Sequence, residues 1–300
     1  MRGQDMRRDR REVAHTWCLS LVILLIPASS LCPTQSAVVA QGTSKEGPPI
    51  EIAMELLFSR PVIRGTVNGQ GPMAVLIDPQ LKTSAIAPAL ADRLNFKQTR
   101  GASDAGRSFV ELAFGLHKMP NVPVEIRDTT SFVPELSPAS RPAVVLSLST
   151  WQDQLVTIDY GRFQVRVESG ALPEPNGRDI YALAHGSNEL RVTPTIGGRA
   201  IDGKVDLLFP GTALLPESYV TELPLASKPT DAPPVRTREG AVKVREARLS
   251  ESIALAGGNV DSAIVLFGNV ERATLGYGAL AQVSVTYDLA RGRARLNRKQ

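Results

Sequence analysis

Cysteine and histidine are scarce in this chain of 300 residues. Both cysteines, Cys18 and Cys32, lie in the first forty residues, and the three histidines are far apart. Loss of those forty residues would leave no cysteine, which excludes disulfides, thiolate nucleophiles and cysteine-ligated zinc together. Isolated histidines without a HExxH spacing argue against a metal site, and no glycine-rich phosphate loop is present. The sequence therefore predicts neither a metal nor a cofactor.

A large excess of one charge is also lacking. There are 34 Lys and Arg residues against 30 Asp and Glu, so the formal net charge is +4. Nucleic-acid binding is therefore not expected, because it requires a strongly basic surface. The content of 43% hydrophobic and 21% charged residues is typical of a globular protein. Residues 41–300 are enough for one large domain or two smaller lobes.

The first forty residues have the order of a secretory signal. An Arg-rich start precedes the apolar run Trp17–Ile26, and a stretch of small residues ends at Ala40. We expect cleavage near Ala40, with a site near Ser30 as the alternative. An uncleaved anchor is disfavoured because the apolar run is far shorter than the roughly 20 residues that cross a bilayer. The sequence thus predicts an exported protein, periplasmic or extracellular, with no stable membrane insertion after removal of the signal.

The rest of the chain has the pattern of β-strands. Short β-branched runs are broken by Gly, Pro and Asn, which predicts an all-β fold with short helices. The runs Pro61–Val67 and Met73–Ile77 flank Asn68-Gly69, a dipeptide that favours a β-hairpin turn. Residues 223–239 contain four prolines and suggest a mobile surface loop.

Two segments recur at similar offsets, which predicts a duplicated lobe. The hairpin that starts at Val156 matches one that starts at Val285, 129 positions later. The strand that ends in Asp78-Pro79 matches the strand that ends in Phe209-Pro210, at an offset of 131. The predicted division is a signal at 1–40, an N-terminal linker at 41–57, a first lobe at 58–171, a linker at 172–188 and a second lobe at 189–300.

Several of these segments resemble the bacterial retropepsin-like aspartyl proteases. The similarity lies in residues 60–72, in the apolar strand that ends at Asp78, and in residues 83–91, where Pro88 opens a helix. In that family the strand ends in Asp-Thr-Gly and a Pro-led helix follows. The resemblance implies two acid-protease lobes in a pepsin-like arrangement with a cleft between them. It also implies aspartic-type endopeptidase activity from two carboxylates, one in each lobe, that share a proton and activate a water.

The sequence departs from that motif in both lobes. The first lobe has Asp78-Pro79-Gln80, which keeps the carboxylate but replaces both following residues. The second lobe has Phe209-Pro210-Gly211-Thr212, which places a phenylalanine at the carboxylate position. Asp206 is three residues earlier, and an odd displacement along an extended strand points a side chain to the opposite face.

The predicted function is therefore that of an exported, acid-protease-like protein with a degenerate dyad. Asp78 would be vestigial, and Pro79, Gln80 and residues 209–212 would line a cleft that binds extended polypeptide by β-pairing. The alternative is an active aspartic endopeptidase that uses Asp78 with an unrecognised second carboxylate. A third possibility is a purely structural envelope protein. A second carboxylate next to Asp78 would favour the enzyme.

Overall fold

The computed structural model describes residues 47–96, 107–137 and 140–298. The predicted signal at 1–40 lies outside these residues, so export stays a prediction. Residues 45–300 belong to one compact unit. Within the described residues, no helix combines the length and the apolar character needed to span a membrane.

Strands dominate the structure, which confirms the all-β prediction. The described part of the first half includes the 3-10 turns Thr130–Phe132 and Leu148–Trp151 and the short helix α1 (Pro88–Arg93), which begins at the predicted proline. Its strands are β1 (Ile50–Leu57), β2 (Arg60–Val67), β3 (Gln70–Asp78), β4 (Ser84–Ile86), β5 (Arg107–Phe114), β6 (His117–Ile126), β7 (Val144–Ser147), β8 (Leu155–Asp159) and β9 (Gln164–Glu168).

The second half has fourteen described strands, most of them short. A 3-10 turn covers Glu217–Thr221, and the helix α2 covers Tyr277–Leu280. The strands are β10 (Ile180–Ala182), β11 (Leu190–Val192), β12 (Thr195–Ile196), β13 (Arg199–Ala200), β14 (Gly203–Val205), β15 (Ala213–Pro216), β16 (Thr230–Thr237), β17 (Gly240–Arg248), β18 (Ile253–Leu255), β19 (Gly258–Val260), β20 (Ile264–Gly268), β21 (Ala273–Leu275), β22 (Val283–Asp288) and β23 (Arg293–Arg298).

A twelve-stranded sheet connects the two halves. Its order is β10-β23-β22-β8-β9-β1-β2-β3-β7-β4-β6-β5, and β2 also pairs with β5. The two halves meet where β8 pairs antiparallel with β22, and this places Thr157 opposite Thr286. Their hydroxyls are 2.9 Å apart. The two hairpins that match at an offset of 129 therefore pair with each other, which supports the internal repeat.

The hairpin β2–β3 shows how the sequence sets the local fold. Asn68 and Gly69 have positive φ values of 49° and 75°, the conformation that a two-residue hairpin turn requires. Branched apolar residues of both strands, such as Ile63, Val75 and Ile77, are fully buried in the core. The strand β3 then carries Asp78 to its carboxyl end, at the interface between the two halves.

Three segments predicted as linkers or loops contain strands. Residues 50–57 form β1 rather than a linker, because they pair with both β2 and β9. The predicted linker at 172–188 contains β10, which pairs with β23. The proline-rich segment forms β16, an edge strand in which a bulge between Ala232 and Val235 accommodates two prolines. Among the three strands, only β10 pairs solely with a strand that is remote in sequence. The strand β16 pairs with the next strand of the chain, β17, and its prolines argued against a strand.

Candidate active site

Two loops at the interface hold carboxylates in the same way. In the first, the Asp78 carbonyl accepts from Leu81 N at 3.2 Å and Asp78 Oδ1 accepts from Gln80 N at 3.0 Å. In the second, the carbonyl of Asp206 accepts from the backbone N three residues later at 3.1 Å, and its Oδ1 accepts from Leu208 N at 2.9 Å. Asp206 is therefore the structural counterpart of Asp78.

The strand register gives the same correspondence. Asp78 lies opposite Ser147 where β3 runs parallel to β7. In the second half, β14 runs parallel to β21 and Val205 lies opposite Leu275. The next residue, Asp206, then falls at the position equivalent to Asp78, 128 positions later in the chain. This offset is close to the 129 of the repeated hairpin and differs from the 131 used in the sequence comparison.

The assignment of Phe209 to the carboxylate position is therefore corrected. Phe209 is buried against Leu214 and Val244 within the second half. The sequence comparison aligned Pro79 with Pro210 and so shifted the second loop by three residues. The argument that Asp206 points away also fails, because β14 ends at Val205 and strict alternation does not extend through the turn.

An arginine lies at both carboxylates. Arg238 Nη2 donates to Asp78 Oδ1 at 2.7 Å, and Arg238 Nε is 3.6 Å from Asp206 Oδ2. Arg238 comes from the tip of the hairpin β16–β17, directly after a strand that sequence analysis had assigned to a mobile loop. Its side chain is 29% exposed, whereas Asp78 is fully buried. No local sequence pattern predicts this contact, because Arg238 is 160 positions from Asp78.

Burial and charge oppose each other at this cluster. Burial raises the pKa of Asp78 and the neighbouring Asp206 adds to the rise, while Arg238 acts in the opposite direction; the net shift is upward. Burial lowers the pKa of Arg238, but the two carboxylates outweigh it and the net shift is again upward. Asp78 Oδ2 is buried without a hydrogen-bond partner among the described residues. The Tyr287 phenol stays neutral, because burial and then Asp206 raise its pKa.

The hairpin tip is attached to the strand that leads to Asp206. Glu239 Oε1 pairs with Lys204 Nζ at 2.7 Å, and Lys204 lies in β14. The Thr237 hydroxyl donates to Gly240 O at 3.1 Å and accepts from Glu239 N at 3.2 Å, which shapes the turn. These three contacts hold the turn that carries Arg238. In the described segments, no group of three or more His, Cys, Asp or Glu side chains could hold a metal ion.

The other predicted site residues have different positions. Gln80 Nε2 crosses the interface to donate to Val205 O at 3.2 Å, and Pro79 O accepts from Asn188 Nδ2 at 3.3 Å. Residues 209–212 instead bind the start of α2. The carbonyls of Phe209, Gly211 and Thr212 accept from the backbone N–H groups of residues 277, 278 and 276, respectively. Residues 79 and 80 thus make contacts between the two halves, whereas residues 209–212 make contacts within the second half.

Arg60 forms another cross-interface contact. Its side chain is 4% exposed, and its Nε donates to Leu208 O at 2.8 Å. Its Nη2 also pairs with Glu135 at 2.9 Å, but the Glu135 side chain is 43% exposed. The buried hydrogen bond to Leu208 is therefore the more valuable of the two contacts, since solvent weakens an exposed ion pair.

We expect Arg60→Met to lower the free energy of unfolding by about 2 kcal/mol, because the Leu208 carbonyl loses a charged donor. Glu135→Gln is the matched control and should cost less than about 1 kcal/mol. Urea denaturation of both variants tests the difference. Equal losses in the two variants would show that the cross-interface hydrogen bond adds nothing to the exposed pair.

Comparison with known proteins gives fold similarity alone. No family model and no curated protein matches this chain. Among solved structures, basic 7S globulin from soybean is 12% identical, with 83% of this chain and 94% of that chain covered and a TM-score of 0.48. The aspartic proteinase from Irpex lacteus is 11% identical, with 84% and 98% covered and a TM-score of 0.47. Neither singles out the bacterial retropepsin-like family, and the pairing of Asp78 with Asp206 rests on the chain's own register.

Proposed function

We propose that this chain is an acid-protease-like protein that binds extended polypeptide and does not hydrolyse it in the resting state. The observation that carries the proposal is the position of Arg238 at both Asp78 and Asp206. Hydrolysis by a carboxylate pair requires one protonated and one ionised member around a shared water. A guanidinium does not deprotonate in proteins, and Arg238 acts to lower the pKa of Asp78 against the net rise that burial causes. It therefore opposes the protonation state that the reaction needs.

Polypeptide binding is supported by the edge strand β16. It is the last strand of a seven-stranded sheet, so one side of its backbone has no neighbouring strand among the described residues. Arg236 and Thr237, at the end of β16 beyond the two prolines, border a pocket beside the carboxylates. An extended peptide can add to such an edge through main-chain hydrogen bonds, without chemistry. Delivery of the protein outside the cytoplasm by residues 1–40 is part of this proposal.

A second candidate is a latent aspartic-type endopeptidase, and the matched loops of Asp78 and Asp206 favour it. In this alternative, Arg238 blocks a complete pair of carboxylates. Displacement of the hairpin tip would then let the two carboxylates share a proton.

One assay separates the two candidates. The purified full chain and the variants Arg238→Gln and Asp78→Asn are incubated with a denatured protein mixture from acid to neutral pH. We expect no cleavage by the wild-type chain, together with binding of a labelled random peptide library. Cleavage by the wild-type chain that Asp78→Asn abolishes would overturn the proposal. Cleavage by Arg238→Gln alone would support the latent peptidase and identify Arg238 as its block.

A further inference from the structure

A pocket of about 170 Å³ lies beside the carboxylates, between the two halves. Five of its lining residues carry positive charge: Arg60, Arg127, Lys204, Arg236 and Arg238. Only two carry negative charge, Asp206 and Glu239. The pocket is therefore markedly more basic than the chain as a whole, in which the two signs nearly balance.

Three of the five cations already have carboxylate partners. Arg238 pairs with Asp78, Lys204 with Glu239, and Arg60 with Glu135. Arg127 and Arg236 have no carboxylate oxygen within 4.0 Å among the described residues. Two guanidinium groups thus border the same pocket with their charge uncompensated by the protein.

The two arginines come from different halves of the chain. Arg127 follows β6 in the first half, and its guanidinium lies 5.5 Å from the centroid of the Phe132 ring, which restricts its orientation. Arg236 lies on the edge strand β16 in the second half. A pocket of this volume is smaller than the roughly 300–1,000 Å³ of typical small-molecule sites. It suits one side chain rather than a whole ligand.

We propose that this pocket binds the side-chain carboxylate of an Asp or Glu residue in an extended peptide held along β16. The inference rests on the proposed polypeptide binding and adds its specificity. A guanidinium presents parallel N–H donors that match the two oxygens of a carboxylate. Arg127 and Arg236 are specificity-determining residues, whereas Arg238 stays with the two aspartates.

The test uses two labelled random peptide libraries, one that contains Asp and Glu and one with Asn and Gln in their place. Fluorescence anisotropy with the full chain should show roughly tenfold tighter binding of the acidic library at low salt. Added salt should reduce this preference, because screening weakens exposed charges. The double variant Arg127→Gln/Arg236→Gln should bind both libraries alike. Arg178→Gln, at an exposed arginine outside the pocket, is the matched control and should keep the preference.

Each outcome distinguishes the inference from the proposed function. Equal binding of both libraries by the wild-type chain would overturn the acidic specificity and leave polypeptide binding intact. Absence of binding to either library would overturn the proposed function and this inference with it. A preference that survives in the double variant, or that Arg178→Gln also removes, would show that this pocket does not select the carboxylate.

Discussion

Replacing Arg238 with leucine should lower the free energy of unfolding by about 3 kcal/mol at neutral pH. The substitution leaves the fully buried Asp78 without its cation, next to a second carboxylate. Removal of one partner of a buried ion pair costs about 3–5 kcal/mol, and the 29% exposure of Arg238 favours the low end. Urea denaturation of the wild-type chain and the variant measures this loss.

The loss should depend on pH in a defined direction. Without Arg238, burial and the neighbouring Asp206 keep the folded-state pKa of Asp78 above the value near 3.9 of an unfolded Asp. The folded state then binds protons more tightly than the unfolded state, so the destabilisation is complete above the folded-state pKa and declines as the pH falls through it. We expect Arg238→Leu to approach wild-type stability toward about pH 4.

Two further variants check the cause. Arg236→Leu removes an exposed arginine of the same hairpin that pairs with no carboxylate of the described residues. This variant should change stability by less than about 0.5 kcal/mol. Asp78→Asn combined with Arg238→Leu should recover part of the loss, because the uncompensated buried charge is gone. An Arg238→Leu loss that is equal at neutral and acid pH would show that charge compensation is not the reason for the contact.

Local patterns predicted the elements that depend on local chemistry. The Asn68-Gly69 hairpin forms where predicted because these residues adopt positive φ, and α1 starts at Pro88 because proline suits the first position of a helix. The recurrence of the Val156 hairpin at Val285 also has a structural basis. These two hairpins pair across the interface of the halves.

The candidate site was predicted only in part, because it depends on register and on remote contacts. Asp78 was identified, but the carboxylate position of the second lobe was assigned to Phe209 because two prolines were aligned, so the second carboxylate was taken to be lost. A shift of three residues in the alignment of the two lobes changes which side chain is placed at the end of the strand. Short apolar strands resemble one another too closely to fix this alignment. The contact of Arg238 with Asp78 cannot be predicted from local sequence patterns, because it joins a hairpin of one half to a strand of the other.

Gly276→Ala should destabilise the protein by about 3 kcal/mol or more, because no space exists for a methyl group at this position. A Cβ there would lie 2.1 Å from Phe209 O and 2.7 Å from Gly211 O. Both atoms belong to the backbone, so a side-chain rotation cannot relieve the clash, and overpacking of this kind costs about 1–3 kcal/mol or more. Gly203→Ala is the matched control. Gly203 lies in β14, which pairs with the strand β21 that precedes Gly276. A Cβ at Gly203 would have its nearest atoms at 3.4 Å, an ordinary contact distance.

The same substitution should also disturb the second carboxylate. The loop that would have to move contains Phe209, whose backbone N donates to the Asp206 carbonyl at 3.1 Å. Displacement of this loop therefore shifts Asp206 relative to Arg238 and weakens their 3.6 Å ion pair. Hydrogen exchange should become faster at residues 206–209 in Gly276→Ala and stay unchanged in Gly203→Ala. Equal stability and equal exchange in the two variants would contradict the view that a glycine at position 276 is needed to hold this carboxylate in place.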